Sequence, residues 1–146
     1  MRIDRISFVD DVDTPEAAII SCGKLMLEAG LIKPSYIPAM IDVYHQLGAY
    51  MVIAPHVALP HASPQSGALK SGICLCVLRN PVIFGHSDND PVHLLFGLAS
   101  HDGNSHIQNL AEVADFLGYD QNITNIISSK TIAEIEYIFM SKKGEL

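Results

Sequence analysis

Positive charge is scarce in this chain. Nine lysines and arginines stand against sixteen aspartates and glutamates, a formal charge of −7 with histidine neutral. With no Lys/Arg cluster, such a chain is a poor nucleic-acid binder, because phosphate contacts carry much of that affinity. An anionic membrane face repels it too, and no apolar run approaches the roughly 18–20 residues that a membrane span requires. The opening stretch, MRIDRISFVDDVDTPE, has no apolar signal core, so no export signal is visible. Cysteine is sparse as well. Cys22, Cys74 and Cys76 are odd in number and lack framework spacing, which argues against a disulfide scaffold and makes a reducing cytosol the simplest home. Cys74 and Cys76 lie in an apolar run where residues two apart share a strand face, and the expectation is two buried small hydrophobes. Repeats, low-complexity tracts and Pro/Gly/Ser linkers are also missing.

What the chain does have is core. Hydrophobic residues make up 49% of its 146 residues and charged residues 17%, enough for one domain, 1–146, that needs neither metal nor disulfide to fold. The spacing predicts a helix from Thr14 to Ala29, with Asp13 or Thr14 as cap, Pro15 in the first turn and Gly30 as stop. A second helix is expected from Pro34 to Gln46, ended by Gly48. Met51–Ala54 reads as a short buried strand closed by Pro55, and Val57–Leu59 continues extended into Pro60. Longer strands are expected at Gly72–Leu78 and Val92–Ala99, with Pro81–Phe84 a short extended piece and His86–Asp90 a polar loop. Three helices follow, at Ser105–Leu117 with Asn104 or Ser105 as cap, at Asp120–Ser128 and at Thr131–Met140; the tail from Ser141 is expected to fray. The link between the strands near Leu75 and Leu95 is too short for a helical crossover, so they pair antiparallel. The fold class is α/β, a mixed sheet flanked by helices.

Seven histidines are the chemical signal. His61 follows Leu59-Pro60 at the end of an extended segment, where proline stiffens the backbone and small or apolar neighbours partly desolvate the imidazole. A nucleophile in such a setting reorganises little when it reacts. His106 falls in the first turn of the Ser105 helix, where free N–H groups and the helix dipole favour an anion. For His45, His86 and His101 the expectation is a solvated side chain. His93 is expected on a buried strand face with a hydrogen-bond partner, and His56 lies either at the site's rim or pointing away from it.

The segment Tyr50–Pro64, with its Ala58-Leu59-Pro60-His61 core, resembles the active-site segment of the enzyme IIA components of bacterial sugar phosphotransferase systems, of the mannitol/fructose type. The Tyr-x-Val-Ile-Ala-Pro lead-in is closest to the ascorbate-type branch. A second block, Leu94–Ala99 followed by His106-Ile107-Gln108 and the helix to Leu117, continues the resemblance across roughly Ser7 to Met140. It implies a mannitol-type IIA sandwich and gives each matched residue a role. His61 accepts the phosphoryl group and passes it on, and His106 stabilises the group in transfer. The donor is the small histidine phosphocarrier protein, HPr; the acceptor is the cysteine of a IIB component; no metal or organic cofactor is implied. The chain also departs from the pattern. No arginine lies between Arg5 and Arg79, Ser63 stands where the ascorbate branch often has arginine, and His56 replaces a more usual glycine. Ser63 is left as a hydroxyl donor to a phosphoryl oxygen. Because two proteins reach the site in turn, it should be shallow and ringed by apolar surface, and the acidic balance suits a basic donor face. The competing readings are a His-ligated metal enzyme, a regulatory domain acting by binding, and a degenerate site.

Overall fold

The computed structural model describes residues 1–141; the frayed-tail expectation beyond Ser141 lies outside them. Five strands form one mixed sheet, β1 (Arg5–Val9), β2 (Val52–Ala54), β3 (Val57–Ala58), β4 (Gly72–Val82) and β5 (Val92–Ala99), in the order β1-β4-β5-β3-β2. The β4–β5 pair is antiparallel, as the short connection requires, while β1–β4 and β3–β5 are parallel. Helices α1 (Pro15–Glu28) and α2 (Tyr36–Leu47) belong to one side of the sheet; α3 (Gly103–Leu117), α4 (Asp120–Ser128) and α5 (Ile132–Met140) belong to the other.

This layering explains why β4 and β5 read as continuous apolar runs. Strands covered on both faces have no solvent side to alternate with. Along β4, Cys74, Cys76 and Leu78 enter the core shared with α1 and α2, while Ile73, Leu75 and Val77 enter the core shared with α3, α4 and α5. Fully burying such a side chain stabilises by about 1.5–3 kcal/mol against leaving it exposed. All three cysteines are free and buried. The hydrogen bond to Cys76, reinforced by burial, pushes the Cys22 thiol well up, and burial pushes Cys74 up to about 12. These thiols pack as small hydrophobes.

Several boundaries shift for local reasons. Thr14 caps α1 by accepting the Ala17 N–H at 3.1 Å, and Pro15 begins the helix. At α3 the cap is Asp102, two residues before Asn104 and three before Ser105, because its carboxylate accepts the Ser105 N–H at 2.8 Å. The extended piece after Leu78 belongs to β4 itself: the pairing slips between Val77 and Val82, and Pro81 is tolerated at that irregularity. Strand β1 carries no clear signal in the sequence. Its five residues mix Arg5 and Ser7 with Ile6, Phe8 and Val9 at an edge, and it exists because β4 offers a parallel partner from Cys74 to Leu78.

Candidate functional site

His61 is held from both sides. Past the formal end of β3, the Leu98 N–H donates to the Pro60 carbonyl at 2.9 Å, so the pairing with β5 runs on to the residue before the imidazole. On the far side the Tyr36 hydroxyl, at the start of α2 and 1% exposed, accepts the Ala62 N–H at 2.9 Å. The same hydroxyl faces the carbonyls of Ala62 at 3.0 Å and Leu98 at 2.9 Å, and its one proton serves either. Burial raises the Tyr36 pKa, so the proton stays on. The apolar spacing of this helix does not mark Tyr36; its one cue in the sequence is a tyrosine in a first turn.

The His61 ring is fixed as well. Its Nδ1 lies 2.8 Å from the Leu59 carbonyl. A carbonyl only accepts, so Nδ1 carries the hydrogen and Nε2 keeps its lone pair. This decides between the two ring nitrogens that the sequence left equivalent.

His106 reaches the same place from α3. The two ring centroids are 5.7 Å apart with the planes tilted by 44°. Burial, and then the neighbouring His61, lower the His106 pKa, so the unloaded pair favours a neutral His106. The helix end is less open to an anion than its position suggested. The Asp102 carboxylate already takes the Ser105 N–H, and the His106 N–H bonds to the Asp102 carbonyl at 3.2 Å. The Ser105 N–H and hydroxyl, in turn, hold the Asp102 carboxyl below the usual carboxylate range.

The two imidazoles line an open depression of about 310 Å³ with Val43, Leu47, Ala62, Ser63, Pro64 and Gly103. None of these is lysine or arginine. A larger groove of about 500 Å³ runs between β1 and α5, away from both imidazoles, and its size alone does not make it a site. At the rim of the depression Leu47 is 59% exposed, and Ile107, the residue after His106 in α3, is 68% exposed, apolar surface of the kind that other proteins meet. Ser63 sits on that rim, exposed, with Oγ 3.0 Å from Ser66 Oγ. His56 is at the other end of β3. Its φ of 70° is the left-handed conformation that glycine adopts without strain, which fits its place at a usual glycine position. Its Nδ1 donates to the Pro91 carbonyl at 2.8 Å and its ring stands 5.3 Å from that of His93. His56 therefore does not join His61. His45 is not a free solvated side chain either: it pairs with Glu16 at 2.9 Å.

Solved structures with this architecture include the IIA components of sugar phosphotransferase systems. The mannitol-specific cryptic phosphotransferase enzyme IIA of Escherichia coli shares 30% identity over 92% of this chain and 90% of its own, with a TM-score of 0.81. The mannitol IIA of the same organism shares 25%, over 90% of this chain and 94% of its own, at 0.78. The chain belongs to the family described as phosphoenolpyruvate-dependent sugar phosphotransferase system, EIIA 2, whose model matches residues 1–142. Among curated relatives, the ascorbate-specific PTS system EIIA component of Escherichia coli strain K12 is 32% identical over 86% of this chain and 82% of that protein. Its counterpart in Salmonella typhimurium is 34% identical over 76% and 73%. The protein is a IIA component of a sugar phosphotransferase system, and no helix among its described residues is long and apolar enough to cross a membrane.

Proposed function

We propose that Nε2 of His61 takes a phosphoryl group from the phosphohistidine of HPr and yields it to the cysteine thiolate of a IIB component. In the first step the Nε2 lone pair attacks phosphorus while the donor's P–N bond breaks; in the second the thiolate attacks, an S–P bond forms and the Nε2–P bond breaks. His61 keeps its Nδ1 hydrogen throughout, held by Leu59. The observation that carries this reading is that hydrogen bond, which aims a lone pair at the depression facing His106.

Such a transfer asks for in-line positioning and for charge to meet three equatorial oxygens. With no lysine or arginine lining the depression, His106 is the side chain best placed to supply that charge. Its preference for the neutral form belongs to the unloaded site. An arriving phosphoryl dianion favours the imidazolium, so the proton is drawn in when it is needed. Ser63 stands at the rim with a hydroxyl able to donate to one oxygen. The ascorbate-specific relatives support ascorbate or a similar sugar acid as the transported compound, and the proposed exchange with HPr and a IIB component fits work in the cytoplasm.

The test is a mixture of the protein with phosphoenolpyruvate, enzyme I and HPr. A mass increase of one phosphate mapping to His61, absent in His61→Ala, is the expected result. Equal labelling of His61→Ala would end this reading.

A further inference from the structure

Beside the paired imidazoles four polar side chains close into a ring, and none of them has a part in the transfer just described. Ser71 leads into β4, His101 and Asp102 follow β5, and Ser105 lies in the first turn of α3. Ser71 Oγ donates to Ser105 Oγ at 2.6 Å and lies 2.9 Å from His101 Nδ1. Ser105 Oγ donates to one carboxylate oxygen of Asp102 at 3.0 Å, and the other is 3.0 Å from His101 Nε2. Two backbone bonds brace the circuit: His101 N–H to Ser71 Oγ at 3.2 Å and Ser105 N–H to Asp102 Oδ1 at 2.8 Å. His101 is thus bound into the structure rather than merely solvated.

The ring matters because of where α3 is anchored. Its buried side chains, Val113, Phe116 and Leu117, all lie in the C-terminal half. Among its first five residues Gly103, Asn104 and Ile107 are exposed and Ser105 and His106 only half-buried, so no fully buried side chain holds that end down. An unanchored helix end frays readily. Ser71, by contrast, rides on the sheet: its neighbour Gly72 pairs with Ala99 of β5. The Ser71–Ser105 bond ties the helix turn to that rigid edge, one residue before His106.

We propose that Ser71, with His101, Asp102 and Ser105, is a positioning device that holds the first turn of α3 so that the His106 imidazole faces His61. Its effect on rate rests on the phosphoryl-transfer reading; its effect on His106 does not.

The test uses the full chain with Ser71→Ala, Ser71→Thr and His101→Ala, and His106→Ala as reference. Transfer from phosphorylated HPr is followed by rapid quench over a range of donor concentrations. Ser71→Ala should lower the saturating rate about five- to tenfold, since small misplacements cost heavily in such steps, with the half-saturating donor concentration unchanged. Ser71→Thr, which keeps the hydroxyl, should stay within about twofold, and Ser71→Ala should add nothing to His106→Ala. An unchanged rate in Ser71→Ala, or a loss that multiplies with that of His106→Ala, overturns the proposal. A second readout is independent of phosphate. In Ser71→Ala, and in the exposed variant His101→Ala should the former fold poorly, the His106 ring signals in NMR should shift or broaden. The Ser105 and His106 amides should also exchange faster. If the wild-type chain takes no phosphate yet those signals respond, the transfer reading fails and the positioning stands; if they do not respond, the positioning fails.

Discussion

At the scale of single residues, the site is a matter of which atoms are already engaged. His61 spends Nδ1 on the Leu59 carbonyl, and that one bond leaves Nε2 with the free lone pair that the proposed transfer uses. Truncating His106 should leave donor binding largely intact and slow transfer by about 10²-fold, the scale on which a single stabilising donor acts; rapid-quench kinetics of His106→Ala would measure it, and a normal rate would remove His106 from the mechanism. Tyr36 is the other decisive residue. Tyr36→Phe leaves the Ala62 N–H without its acceptor in a buried setting, so it should destabilise by about 1–3 kcal/mol and slow transfer roughly tenfold as the His61 segment loosens. Urea melts and the same kinetics would read both; a variant with full stability and full rate would show that the clamp is idle.

At the scale of elements, close approach between α1 and β5 sets the packing. A methyl group at Gly97 would come 2.5 Å from Cys22 Sγ and 2.7 Å from Met26 Sδ, both in α1. Either the helix lifts or the two sulfur side chains move. Gly97→Ala should therefore cost about 1–3 kcal/mol, as overpacked cores do, seen as a lower urea midpoint with little change in slope; an unchanged midpoint would mean that the layers are looser than their spacing implies. Element by element, periodicity read α1, α2, α4 and α5 to within a few residues. It failed at β1, where an edge strand of five mixed residues exists only through its partner β4. It failed more narrowly at the start of α3, where Asp102 outcompeted Asn104 and Ser105 as cap because its carboxylate reaches the Ser105 N–H.

At the scale of the whole molecule, acidity and proton linkage govern behaviour. A formal charge of −7 should make association with a basic donor face fall as salt rises, since the screening length is about 10 Å at 0.1 M; stopped-flow association rates that stay flat with salt would argue against steering. Stability should depend on pH in a definite direction. Burial first, then a neighbouring imidazole, holds His93 and His106 below the ordinary histidine pKa. Between their folded values and the unfolded value of about 6.5 the unfolded chain binds more protons. Their contribution is therefore intact above about pH 6.5 and is lost as the pH falls below it. Thermal melts from about pH 7.5 down to 5.5 should show a falling Tm, and His93→Gln should flatten part of that fall. A Tm that rises on acidification would contradict the assignment.

The layer architecture is already written in the order of the amino acids, because β4 and β5 are apolar on both faces and the helices carry one apolar stripe each. The same order also singles out His61 and His106, because the Ala-Leu-Pro-His turn and a histidine in a helix's first turn are local signals. The rest depends on how the layers meet. That the two imidazoles meet across 45 residues of chain, that His61 offers Nε2, that Tyr36 clamps its segment and that His101 belongs to a ring with Ser71 and Ser105 all depend on contacts between distant segments. Periodicity reports which face of an element is buried; hydrogen bonds between elements depend on register and approach, which exist only once the layers have packed.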